Sequence, residues 1–144
     1  MESNVVISSI WEDESLFEVK VSGSNGKFTG EATCYTNREN ILELAEILEV
    51  FPQKLSDSFN FSTGKNDGIS YFSISGFRTD GSGHILLAIE IAHIVSFTNA
   101  RTQNYKVSFD LRAEPEGVNQ FGRQLRKVAC EPLGKTEAVL NNAT

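Results

Sequence analysis

Three clusters of glycine with serine, asparagine or aspartate interrupt the chain between segments of alternating apolar and polar residues: Ser22-Gly23-Ser24-Asn25-Gly26, Gly64-Lys65-Asn66-Asp67-Gly68 and Asp80-Gly81-Ser82-Gly83. Glycine, Asn and Asp tolerate the left-handed backbone that tight turns require, so each cluster joins two antiparallel neighbours. A parallel pair needs a crossover of a dozen or more residues, and these connections are too short for one. Hairpins are therefore the building unit.

Residues 5–11, 15–22 and 27–35 read as three strands. In the second, Phe17, Val19 and Val21 alternate with Glu18, Lys20 and Ser22, so one face is buried. In the third, Phe28, Gly30, Ala32 and Cys34 share the inward parity. Four more strands are expected over 58–63, 69–77, 84–95 and 103–112. Ile85, Leu87, Ile89 and Ile91 face one way and Leu86, Ala88, Ala92 and Ile94 the other, with Glu90 the exception, which is the pattern of a strand covered on both faces.

Thr36-Asn37-Arg38-Glu39 has the form of a capping box at a helix start. Ile41, Leu44, Leu48 and Phe51 then recur at helical spacing until Pro52 ends the run. Glu39, Glu43, Glu46 and Glu49, at spacings of four, three and three, form an outward acidic ridge. A second helix is expected from Glu114 to Cys130, with Pro115 in its first turn, Val118, Phe121, Leu125 and Val128 inward, and Arg123, Arg126 and Lys127 outward. A shift of 77 residues lays the second strand-into-helix passage on the first, setting Glu116 on Glu39, Phe121 on Leu44 and Leu125 on Leu48. The same shift sets Arg123 and Arg126 against Glu46 and Glu49, so both helices are expected on one sheet face with those charges adjacent.

The predicted class is α+β: a predominantly antiparallel sheet of about seven strands in the order βββαββββα, with two helices packed on it. At 144 residues, 40% hydrophobic and 22% charged, the chain suits a single domain, assigned to residues 1–130. Residues 131–144, with Pro132, Gly134 and little apolar periodicity, are expected to be a mobile or loosely docked C-terminal tail. No window approaches the roughly 18 unbroken apolar residues of a membrane span, and Met1-Glu2-Ser3-Asn4 is not the basic start of a secretory signal. A cytoplasmic address is expected, without membrane contact.

The formal net charge is −6, and residues 1–60 hold eleven acids against four bases while 61–144 hold eight against nine. Such a balance disfavours a phosphate-tracking surface, so nucleic acid is not an expected ligand. It suits electrostatic steering toward a basic partner. Cys34, Cys130, His84 and His93 are too widely spaced to read as a zinc site, and the two cysteines are expected as separate buried thiols. Asp80-Gly81-Ser82-Gly83-His84 collects a carboxylate, a hydroxyl and an imidazole, but neighbours on one hairpin point in different directions and read as a turn. No nucleophile elbow, P-loop, dinucleotide fingerprint or zincin helix is present. No catalytic residue, metal ligand or cofactor is predicted. Trp11 beside Glu12, Asp13 and Glu14 joins an aromatic anchor to charge, although the ring itself is expected in the core.

Five segments, Trp11-Glu12-Asp13, Gly26-Lys27-Phe28-Thr29-Gly30, Leu48-Glu49-Val50-Phe51-Pro52, Asp80-Gly81-Ser82-Gly83-His84 and Phe121-Gly122-Arg123-Gln124-Leu125, occur in this order over residues 11–125. The set resembles the WapI-type immunity proteins of polymorphic toxin systems, a family of small bacterial proteins. The resemblance implies a non-enzymatic cytoplasmic protein that binds and neutralises a cognate toxin domain. Together with the charge asymmetry it makes Trp11, Glu12, Asp13, Glu14, Glu43 and Glu46 the candidate partner-binding residues. Two alternatives are a small-ligand-binding or enzymatic domain, with Glu90 and His93 as isolated inward candidates, and a self-associating accessory domain.

Overall fold

Turn chemistry and alternation resolve into antiparallel ladders. The computed structural model describes residues 3–14, 16–53, 57–64, 70–78, 84–96 and 102–141. Along the chain run β1 (Ser3–Glu12), β2 (Phe17–Asn25), β3 (Thr29–Thr36), α1 (Arg38–Val50), β4 (Ser58–Gly64), β5 (Ser70–Arg78), β6 (Ile85–Ser96), β7 (Thr102–Ala113), α2 (Pro115–Cys130) and β8 (Glu137–Asn141). The fold is α+β, with two helices and eight strands in two antiparallel sheets ordered β3-β2-β1-β8 and β4-β5-β6-β7. The expected pairings β2–β3, β4–β5 and β5–β6 are all present. The turn clusters at 65–68 and 80–83 lie outside the described residues.

Three features differ from the sequence reading. Two sheets replace the single sheet, and the strand order gains a final member. That member, β8, comes from the stretch expected as a tail: Glu137–Asn141 pairs with β1, and Ala138 and Leu140 are buried. Five residues with two inward side chains carry too short a pattern to stand out, and their partner lies more than a hundred residues away. Finally, β6 buries its Ile85, Leu87, Ile89 and Ile91 row, whereas on the other face Ala92 is buried and Leu86, Ala88 and Ile94 are half-buried.

Inner faces of both sheets and the apolar stripes of both helices meet in one core, including Ile7, Val21, Leu44, Leu48, Phe72, Ile89, Leu111, Phe121 and Leu125. The helix stripes follow the predicted spacing, with Ile41, Leu44, Ala45 and Leu48 buried on α1 and Val118, Phe121, Leu125 and Val128 on α2. The start of α1 is capped by Asn37, whose side chain accepts from the Asn40 N–H at 2.8 Å, rather than by the expected Thr36 and Glu39 box. Thr36 instead ends β3, where it is buried and accepts from the Thr63 hydroxyl at 2.6 Å. At the other end Phe51 is extended, as a residue preceding proline must be.

The helices pack against each other in opposite directions. Asn119, near the start of α2, donates to the carbonyls of Leu48 and Phe51 at the end of α1, and Arg38, at the start of α1, donates to Ala129 O at the end of α2. Gly122 permits the approach, because a Cβ there would lie 2.8 Å from the Glu49 backbone nitrogen. The expected juxtaposition of charges is realised by Arg126, whose Nε and Nη2 donate to Glu49 at 2.9 and 2.6 Å. Arg123 turns to Glu116 of its own helix instead of Glu46.

Candidate interaction surface

The β1–β2 corner gathers most of the sequence-predicted residues. A register shift between Ser9 and Trp11 marks a bulge in β1, after which Trp11 stands opposite Glu18 and Glu12 opposite Phe17. The bulge re-aims the strand end: Trp11 is 42% exposed, contrary to the expectation of a core ring. Glu18 in turn stands opposite Tyr35 on β3, so Trp11, Glu18 and Tyr35 form one row on the outer face of the first sheet. Across that row Trp11 and Tyr35 meet edge to face, with centroids 6.3 Å apart at 87°, and Tyr35 is 56% exposed.

The acids of the turn have separate roles. Glu12 pairs with Arg38, whose guanidinium also lies 4.6 Å from the Phe17 ring centroid and reaches the end of α2. One arginine thereby ties β1, β2 and both helices, and Glu12 has an internal partner. Asp13 accepts from the Leu16 N–H at 2.8 Å and closes the turn, while Glu14 is exposed. Glu43 and Glu46 are exposed on α1, an element separate from the corner, and Glu39 shares their ridge. Glu49 is held below the ordinary carboxylate range by its hydrogen bonds from Arg126.

Comparisons of the chain with family profiles, curated proteins and solved structures give no match.

Residues proposed for a small-molecule site diverge. Glu90 lies on the outer face of the second sheet, accepting from the Tyr71 hydroxyl and pairing with Lys106 at 3.4 Å. Burial, and then the hydrogen bond to Glu90, push the Tyr71 phenol above its usual range. His93 has the opposite parity and meets the Ser70 hydroxyl at 2.8 Å through Nδ1. Sequence reasoning missed both pairings, because each joins residues on different strands. Cys34 is buried, which pushes its thiol up to about 11, whereas Cys130 is exposed rather than buried as expected. Phe28 precedes β3 and is 62% exposed, so the inward row begins only at Gly30. Among the described residues no three His, Cys, Asp or Glu side chains gather as a metal site, and no helix is long and apolar enough to cross a membrane.

Proposed function

We propose that the chain is a non-enzymatic binding protein that docks a basic protein domain on its β1–β2 corner, as an immunity protein docks the toxin it neutralises. The observation that carries this reading is the exposed edge-to-face Trp11–Tyr35 pair with Glu18 in its row and Glu12, Asp13 and Glu14 in the adjoining turn. Large aromatic rings held against each other lose little conformational freedom on binding and serve as interface anchors. Carboxylates around them accelerate encounter with a cationic surface. The chain's net charge of −6 acts in the same sense.

The direct test is association with a candidate toxin domain encoded beside the chain. Trp11→Ala is expected to weaken the complex by about 2 kcal/mol, mainly by faster dissociation. Reversing Glu43 and Glu46 to Lys should slow association at low salt and flatten its salt dependence while the fold survives, since both side chains are exposed. Unchanged kinetics for both variants would remove this corner and the α1 ridge from the interface, and absence of binding to any basic protein would remove the function.

A further inference from the structure

β3 is an edge of the first sheet, and it lies across the inner face of the second. Its end, Thr36, is bonded to Thr63, and near its start a Cβ on Gly30 would stand 2.2 Å from Val107 Cγ1. Between those points the ladders of the second sheet align Thr63, Phe72, Ile91 and Val107 in one row across all four strands. That is the row beneath β3. Two residues further along, the same ladders align Ser70, His93 and Tyr105. Residues two apart on a strand share a face, so this second row also looks inward, about 7 Å beyond the first.

Among the described residues the first sheet stops at β3 and no strand covers the second row: Ser70 and His93 are half-buried and Tyr105 is 52% exposed. Ser70 bonds His93, and the His93 ring stacks on Tyr105 with centroids 6.4 Å apart at 26°, so the three form a connected floor. Two hollows follow β3 along this floor. One of about 850 Å³ reaches Thr33, Tyr35, Ser70 and His93, and one of about 320 Å³ reaches Gly30, Glu31 and Tyr105.

We infer that this groove takes an extended segment of a basic protein partner as an added strand on β3. The inference rests on the binding function proposed above and specifies its mode. A sheet edge presents unpaired N–H and C=O groups that an extended chain completes. An added strand sits about 4.8 Å from its neighbour, which places it over the Ser70–His93–Tyr105 row instead of over open solvent. The eight residues of β3 offer roughly 25 Å of edge. Hydroxyl, imidazole and phenol groups on the floor accept polar side chains, and Glu18 and Glu31 line the two hollows. Lys106 also lines the second hollow and is paired with Glu90, and Lys20 is paired with Glu31. A second copy of this chain would bring the same acidic edge and the same net charge of −6 to the groove, which disfavours self-pairing.

The test uses a displayed library of random octapeptides selected against the full chain, followed by titration of enriched peptides into the ¹⁵N-labelled protein. Enriched peptides should carry Lys or Arg, shift the amides of 29–36, and protect alternate β3 amides from hydrogen exchange. N-methylating one alternate set of peptide amides should lower affinity about tenfold or more, and the other set should have little effect. Tyr105→Ala and Ser70→Arg should each weaken binding about tenfold, with melting temperatures confirming the fold. Failure to enrich peptides, shifts confined to other elements, or indifference to N-methylation would overturn the groove. So would a concentration-dependent dimer that protects the same β3 amides. A protein partner that depends on Trp11 but leaves β3 unprotected would overturn the groove alone, whereas absence of any basic partner would overturn the binding reading beneath it.

Discussion

Glu49 is a carboxylate held in an ion pair between the two helices. Two hydrogen bonds from Arg126 hold its proton affinity below the ordinary value of 4.5, so the unfolded chain binds that proton more tightly than the folded one. The stabilisation is therefore present above the unfolded value and lost as pH falls through the folded one. Glu49→Gln should lower the denaturation midpoint at neutral pH, and its deficit relative to the parent chain should shrink as the solution is acidified below about pH 4.5. A deficit that stays constant with pH would assign the effect to packing alone.

At the scale of the elements, the helix pair separates two glycines that look alike in sequence. Both Gly117 and Gly122 sit in α2, where replacing glycine by alanine ordinarily favours the helix by up to about 1 kcal/mol. A Cβ on Gly117 meets nothing within 4 Å, whereas one on Gly122 would lie 2.8 Å from Glu49 N and 3.0 Å from Ala45 O and Leu48 C. Those are backbone atoms of α1 and cannot swing aside as a flexible side chain does. Gly117→Ala is expected to raise the denaturant midpoint, and Gly122→Ala to destabilise by about 1–3 kcal/mol. Equal gains for both would mean that the helices do not approach at Gly122.

For the whole molecule, the two sheets share one plan that chain order disguises. Strands β4-β5-β6-β7 followed by α2 form one unit, and β8-β1-β2-β3 followed by α1 forms the other, its first strand supplied by the last segment of the sequence. Asn4 and Asn141 are partners in the β1–β8 ladder, so the described ends of those strands are adjacent. A circular permutant opened between Gln53 and Asp57, with a short linker joining the start of β1 to the end of β8, should fold to the same core. It should lose no more than about 2 kcal/mol, measured by denaturation and near-ultraviolet circular dichroism. Loss of cooperative unfolding would show that the two units are not interchangeable in order.

Local physics wrote much of this into the sequence. The stripe Ile41, Leu44, Leu48 needs only the helical period, the β2–β3 turn needs only Gly26 and its polar neighbours, and the charge of the Trp11 corner is plain in Glu12, Asp13 and Glu14. Cap identity was less legible, because Thr36 and Asn37 both suit the position and the choice depended on Thr63 reaching Thr36 from another sheet. The outward position of Trp11 is hidden for a related reason: one bulge residue reverses the face of everything after it, and alternation alone does not register that slip. The split into two sheets, the placement of β8, the Arg38 tie and the open row beside β3 belong to tertiary structure alone. Each depends on strands and helices separated by long stretches of chain, and hydrophobic burial that draws them together is non-directional. Which edge meets which face is decided only when the whole core closes.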